Sequence, residues 1–393
     1  MQPPSWVEVN LDNITHNITE IQRIIGNSCQ MMVIVKADAY GHGAVAVAKT
    51  AINAGVQRLG VVCLSEGVNL RDAGINCPIL SLGPPMPDET QDYIHYRITP
   101  SIFSLEQAKA FSEQAVERGI SVKIHIKIDT GMGRLGVLYP EAFELIKKIH
   151  SLPGIEIEGI FSHLGSSDSA CKAYAYEQFR RFTVVINRLK KTGISVPITH
   201  IANSGAIIDL LEMRLDMVRP GIAVYGLFPS KSVSQSVSLQ PAMSFKTRII
   251  HLKEMPKDLP VQGFLPVYGG ISYGRTYVKK KIKVATIPVG YADGYSRALS
   301  NKAEVLIQGK RAPIIGRITM NFCMIDVSHI PDVKIGDEVV LFGKQLIAGA
   351  SMTEEVSLSV DELADICGTI SYEILCGINP RILRVYVAEE ENK

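Results

Sequence analysis

The sequence predicts an α/β chain: an N-terminal (β/α)8 barrel of the TIM type followed by a mostly antiparallel β C-terminal domain. Three observations lead there. From Met31 to Gly226, short runs of β-branched and apolar residues alternate with longer stretches of helical spacing, the pattern of parallel βα units. The short runs number about eight, enough to close a barrel. After Gly226 the helical spacing fades, and short β-rich runs punctuated by turn residues replace it.

In order, the barrel strands are expected at 31–35, 58–64, 78–82, 98–103, 121–128, 156–162, 197–202 and 217–218. Helices at 104–119, 141–150 and 172–191 carry apolar residues three and four apart, and Gly119, Gly154 and Gly193 stand at or near their ends. A doubly wound open sheet would alternate in the same way, so the barrel rests on the strand count. Pro229, Ser230 and the polar stretch to Gln240 read as a linker, which sets the domains at 1–230 and 231–393. Beyond it, strands are expected at 282–288, 303–307, 312–315, 322–327 and 338–342, with Gly309-Lys310 and Gly336-Asp337 as turns and one helix at 360–367.

Composition narrows the function classes. A chain of 393 residues is long enough for two hydrophobic cores. Its 41 basic and 39 acidic side chains nearly cancel, which argues against nucleic acid or an anionic membrane as a partner. No apolar run approaches the roughly 20 residues that span a bilayer. The N-terminus, Met1-Gln2-Pro3-Pro4-Ser5-Trp6, lacks the basic and apolar blocks of a secretion signal. Seven scattered cysteines without short paired spacings suggest reduced thiols rather than disulfides or a zinc site. The expected address is the cytoplasm, and no metal is expected.

The first segment with chemical content is Val33-Ile34-Val35-Lys36-Ala37-Asp38-Ala39-Tyr40-Gly41-His42-Gly43, an apolar strand ending in a lysine and a glycine-rich loop. Carboxyl ends of barrel strands line the active-site mouth, where a lysine with its stem in apolar surroundings can lose its proton and form a Schiff base. A solvated lysine capping a strand is commoner, so other residues decide. Barrels often hold a phosphate with the loops after strands seven and eight, where this chain has Asn203-Ser204-Gly205 and Arg219-Pro220-Gly221-Ile222. Ser204 offers a hydroxyl, and Gly221 lets backbone N–H groups approach an anion. Alone, each is an ordinary turn. Together with Lys36 they point to pyridoxal 5'-phosphate.

These segments occur in order with Lys127-Ile128-Asp129-Thr130-Gly131-Met132-Gly133-Arg134, His200-Ile201-Ala202-Asn203-Ser204, Ser272-Tyr273-Gly274 and Gly290-Tyr291-Ala292-Asp293-Gly294. The series resembles the alanine racemase family over nearly the whole chain. The resemblance implies interconversion of L-alanine and D-alanine by a two-base mechanism. Lys36 would carry the cofactor as a Schiff base and serve one face of the α-carbon, while Tyr273 would serve the other. A fixed single base would tend to return the proton to the face it left. A free tyrosine has a pKa of about 10, so Tyr273 would need neighbours that favour its anion.

Further roles follow from the same resemblance. Tyr40, Asn203, Ser204, Gly221 and Ile222 would hold the cofactor at its phosphate end, and His163 would pack near the ring. Arg219 would meet the ring nitrogen and, as a lasting cation, disfavour its protonation. Arg134 would reach the phenolic oxygen and the substrate carboxylate, steadied by Lys127 as an amine or a carbamate. The Met320 N–H would meet that carboxylate, and Tyr291 would line the entry route. Because Tyr273 lies past the linker, the resemblance implies a head-to-tail homodimer whose second domain covers the partner's barrel mouth.

The chain departs from the family pattern in three places. Asn321 stands where aspartate is usual, Ser162-His163-Leu164-Gly165-Ser166 is a loose version of its segment, and Cys376-Gly377-Ile378-Asn379-Pro380-Arg381 lacks a tyrosine found in many relatives. A smaller Asn379 could admit a hydroxymethyl group, which makes serine a second candidate substrate. A decarboxylase of basic amino acids would also combine a barrel and a β domain, but the Tyr273 segment and an arginine at 219 argue against it. A non-enzymatic cofactor carrier would not need the second domain.

Overall fold

The computed structural model describes residues 3–257, 270–274, 276–348 and 353–388. It divides into two compact units, one of Leu11–Pro241 and one of the residues up to Asn10 together with those from Ala242 onward.

Within the first unit, where the short Val137–Leu138 only edges onto Val122–Asp129, eight parallel strands among the described residues form the ring. They are Gln30–Ile34, Arg58–Val61, Ile79–Ser81, a fourth split into Ile98–Thr99 and Ser101–Ile102, then Val122–Asp129, Ile155–Phe161, Ile198–His200 and Met217–Val218. The ring closes where Met217 and Val218 pair with Gln30 and Met31. The fourth strand breaks at Pro100, which has no N–H to give a ladder; its carbonyl accepts the His125 N–H at 3.0 Å instead. Strands seven and eight meet through a parallel bridge between Asn203 and Arg219. Met31, Met32, Val33 and Ile34 are all buried, as expected of a strand covered on both faces.

The surrounding helices follow from sequence in the same way. Leu11–Ile25 buries Ile14, Ile18, Ile21 and Ile25, one stripe of a 3.6-residue period, each fully buried isoleucine contributing about 2 kcal/mol. In Leu105–Arg118, the Ser104 side chain accepts the Gln107 N–H at the start, and Gly119 closes the end at φ 63°, where a side chain would be strained.

The expected domain boundaries are corrected. Ser5–Asn10 is not part of the barrel unit: Val7 pairs with Phe245 in an antiparallel ladder and with Arg384 in a parallel one. Its alternating burial puts Val7 and Val9 into the β core. The expected linker also belongs to a core, because Val233 and Val237 bury against Ile208 of the barrel unit, with Ile24, Phe228 and Leu239 packed beside them. The division therefore falls between Pro241 and Ala242.

The second unit is built on one mixed, mainly antiparallel sheet of ten described strands. The five expected runs appear as Ile282–Ile287, Glu304–Ile307, Lys310–Ile315, Cys323–Asp326 and the longer Glu338–Ala348, and the expected helix as Val360–Cys367. A second helix, Ser371–Cys376, and the strands Met243–Arg248, His251–Met255, Thr353–Leu358 and Leu383–Val387 join them.

Candidate active site

Lys36 directly follows the first barrel strand, and the backbone after it takes an uncommon form. Ala37, Asp38 and Ala39 have φ near 52° and ψ near 50°, and Tyr40 has φ 55°, a left-handed turn that costs about 1 kcal/mol or more per non-glycine residue. Several bonds over-determine it, as such strain requires. The Glu66 carboxylate accepts the N–H groups of Ala37 at 2.7 Å and Val62 at 2.8 Å, and Asp38 Oδ1 accepts the Ala44 N–H at 2.7 Å. The turn brings Tyr40 back over the barrel mouth.

There Tyr40 meets the loop after the eighth strand. A Cβ added to Gly221 would lie 2.5 Å from the Tyr40 hydroxyl, so only glycine leaves room between them. Ser204 Oγ accepts the N–H groups of Gly221 at 3.0 Å and Ala223 at 3.4 Å. Asn203 caps the helix Ser204–Asp209 by accepting the Ala206 N–H at 3.3 Å, and it accepts the Ser167 hydroxyl at 2.6 Å. Ile222 opens the short turn Ile222–Tyr225. Hydroxyls and backbone N–H groups thus converge in a recess suited to an anion.

Four cations share the mouth. Burial lowers Lys127 to about 8, and the charges of Arg219 and Arg134 add to this; Asp129 opposes the shift and Lys36 reinforces it. His163, after the sixth strand, is held well below its usual range by burial and then by Arg219, Lys127, Arg134 and Lys36, so it is neutral at pH 7. Arg134 stands exposed on a loop fixed by Asp129, whose Oδ1 accepts the N–H groups of Gly131 at 2.8 Å and Gly133 at 3.2 Å. Such crowding of positive charge is unfavourable unless an anion joins it. Pyridoxal phosphate, an anion, fits this chemistry of hydroxyls, backbone N–H groups and cations.

Arg219 is buried, and its guanidinium is tied on several sides. It donates to Ser162 O at 2.6 Å, Ile201 O at 3.2 Å and His200 Nδ1 at 2.7 Å, with a longer approach of 3.4 Å to His163 Nδ1. Burial lowers it to about 9, still cationic at pH 7.

Tyr273, Tyr291 and Met320 belong to the other unit. Tyr273 tips a tight hairpin closed by reciprocal bonds between Ile271 and Thr276, with Ser272 at φ 60° and Gly274 at φ 79°; Arg275 lies outside the described residues. Its side chain is 73% exposed. Tyr291 and Met320 are neighbours, because the N–H groups of Tyr291 and Ala292 bond Thr319 O and Met320 O.

Sequence reasoning missed Glu66, His125 and Glu158. For His125 the available signal was the alternation of Lys123, His125, Lys127 and Asp129 with apolar residues in one strand, which puts four polar residues on one face, the last three of them buried.

The comparisons agree with this geometry. A family model described as the alanine racemase N-terminal domain matches residues 9–229, and one for the C-terminal domain matches 242–386. An alanine racemase of Halothermothrix orenii is 45% identical over 98% of this chain and 97% of its own. The solved alanine racemase of Clostridium difficile 630 superposes with a TM-score of 0.89 at 37% identity, covering 99% of this chain and 97% of that one. That of Bacillus anthracis with bound L-Ala-P gives 0.86 at 36% identity, covering 98% and 96%. The chain belongs to the alanine racemase family, whose members depend on pyridoxal 5'-phosphate.

Proposed function

We infer that this chain interconverts L-alanine and D-alanine by moving a proton onto and off the α-carbon from opposite faces. The observation that carries the reading is the barrel mouth, where Lys36 stands among Lys127, Arg134 and Arg219 beside the recess of Ser204, Gly221 and Tyr40. Pyridoxal phosphate, when bound, draws electrons from the substrate α-carbon and so makes its proton removable.

The chain's own residues would then divide the work. Lys36 would hold the cofactor and carry a proton on one face. Tyr273 carries it on the other. Tyr40, Asn203, Ser204, Gly221 and Ile222 hold the phosphate, while Arg219 donates to the ring nitrogen and His163 packs near it. Arg134 and the Met320 N–H orient the carboxylate, and Tyr291 borders the entry route.

The working unit in this reading is a head-to-tail homodimer. Besides Tyr273, the second unit leaves Tyr277, Tyr291, Met320 and Phe322 exposed, large apolar side chains for a partner to cover. Among the described residues no helix is long and apolar enough to cross a membrane. Free thiols at Cys29, Cys63, Cys77 and Cys323 support the cytoplasm as the address. Serine is a second substrate in this reading, favoured by Asn379, whose amide is tied to Ala292 O at 3.0 Å beside Tyr291.

Purified protein with L-alanine in deuterated water, followed by optical rotation and α-proton loss, tests the activity. Loss of rotation with deuterium uptake, absent in Lys36→Ala, supports it. An unchanged rotation and an intact α-proton would set it aside.

A further inference from the structure

Beneath Arg219 a chain of buried hydrogen bonds runs along the barrel interior. Arg219 donates to His200 Nδ1 at 2.7 Å, His200 Nε2 meets His125 Nδ1 at 2.9 Å, and His125 Nε2 meets Glu158 Oε2 at 3.1 Å. Arg58 grips Glu158 from the far side with two bonds of 2.9 and 3.1 Å. A recess of about 560 Å3 at the N-terminal end of the strands is lined by Glu158 with Lys123 and Arg97, so the chain leads away from the mouth.

The two ends fix what lies between them. A guanidinium only donates and an ionised carboxylate only accepts. His200 must therefore leave Nδ1 bare and carry its proton on Nε2, and that N–H must find His125 Nδ1 bare. His125 then donates from Nε2 to Glu158. Both rings are neutral in this arrangement, as their burial and the nearby cations favour. A second proton on either ring would set two N–H groups against each other.

Three independent features of the fold serve this chain. The ladder between strands five and six slips at Ile124/His125, where His125 pairs with Gly159 and Glu158 becomes the extra residue; such bulges re-aim side chains. Gly159 is the seat of the imidazole, because a Cβ there would lie 2.4 Å from His125 Cε1. Phe161 stacks on His200 with centroids 4.9 Å apart and planes within 8°. A glycine inside a strand weakens it, so its presence here is explained by the ring it admits.

We propose that Glu158, His125 and His200 are positioning residues for racemisation: they form a one-directional hydrogen-bond relay that fixes the orientation and charge of Arg219 where it faces the cofactor's ring nitrogen. The role toward the ring rests on the reading of the mouth given above; the relay itself does not.

The test uses full-length protein labelled with 15N-histidine, first without cofactor. The relay predicts that both rings carry their proton on Nε2 with Nδ1 bare, and an Nδ1 proton on either ring overturns it whatever the activity. In the loaded enzyme, Glu158→Leu is expected to mix the tautomers and lower kcat about tenfold, with KM for alanine within about twofold. Glu158→Gln, which keeps an oxygen acceptor, is expected to restore both readouts. Should Glu158→Leu not fold, Gly159→Ala breaks the relay from the other side and is read in the same way. Mixed tautomers with unchanged kcat overturn the positioning role. A wild type that fails to racemise while its tautomers are as expected counts against the reading of the mouth, and the relay stands.

Discussion

Lys127 Nζ and the Arg219 guanidinium carbon each stand 5.4 Å from the centre of the Phe161 ring, two buried cations against one aromatic side chain. Their repulsion, added to burial, brings Lys127 to about 8. As an ammonium, Lys127 repels Arg134; as a carbamate it would attract it. Below pH 8 the neutral amine that captures CO2 grows about tenfold per pH unit. Protein stripped of CO2 in acid and then held at one fixed concentration of dissolved 13CO2 should therefore gain a carbamate resonance faster at pH 8 than at pH 6, and Lys127→Ala should show none. A wild type without that resonance at either pH would remove the carbamate.

Gly221→Ala places a methyl 2.5 Å from the Tyr40 hydroxyl, where the recess has no slack. The expected result is a loss of pyridoxal phosphate affinity of about tenfold or more, one misplaced group in an anion site. Equilibrium dialysis of the apoprotein measures it directly, and an unchanged Kd would move the phosphate elsewhere.

Asn379 ties its amide to Ala292 O and accepts the Arg381 N–H at 3.0 Å, so a bulkier residue there would press on the turn that carries Tyr291. The wild type is expected to racemise L-serine as well as L-alanine. Asn379→Tyr should lower the serine-to-alanine ratio of kcat/KM by about tenfold, the scale of one small-group discrimination. Undetectable serine turnover by the wild type would end this reading.

Gly159→Ala is expected to destabilise the protein by about 2 kcal/mol, because the new methyl overlaps an imidazole that has no other seat. Denaturant unfolding monitored by circular dichroism would show this as a lower midpoint at unchanged slope.

The barrel was legible because short runs rich in β-branched and apolar residues alternate regularly with stretches of helical spacing. Ser5–Asn10 was not, since its partners Phe245 and Arg384 lie at the other end of the sequence. His251–Met255 is made largely of residues with little strand preference, and its ladder with Ile282–Ile287 supplies what propensity does not. The stretch at 229–240 looked like a linker because serines mask the two valines that anchor it. At the mouth, Lys36, Ser204, Arg219 and Gly221 announce themselves by position at strand ends. Glu66 and Glu158 do not, because each earns its role only from a partner on another strand or turn.

The claim that the two proton carriers come from different subunits is tested most directly by mixing two defective proteins. Lys36→Ala and Tyr273→Phe are each expected to be nearly inactive as homodimers. Refolded together, half of the dimers would be mixed, each with one site holding both Lys36 and Tyr273, so racemisation of L-alanine in deuterated water should return to about a quarter of the wild-type rate. No recovery, with mixed dimers present by mass spectrometry, would contradict the account.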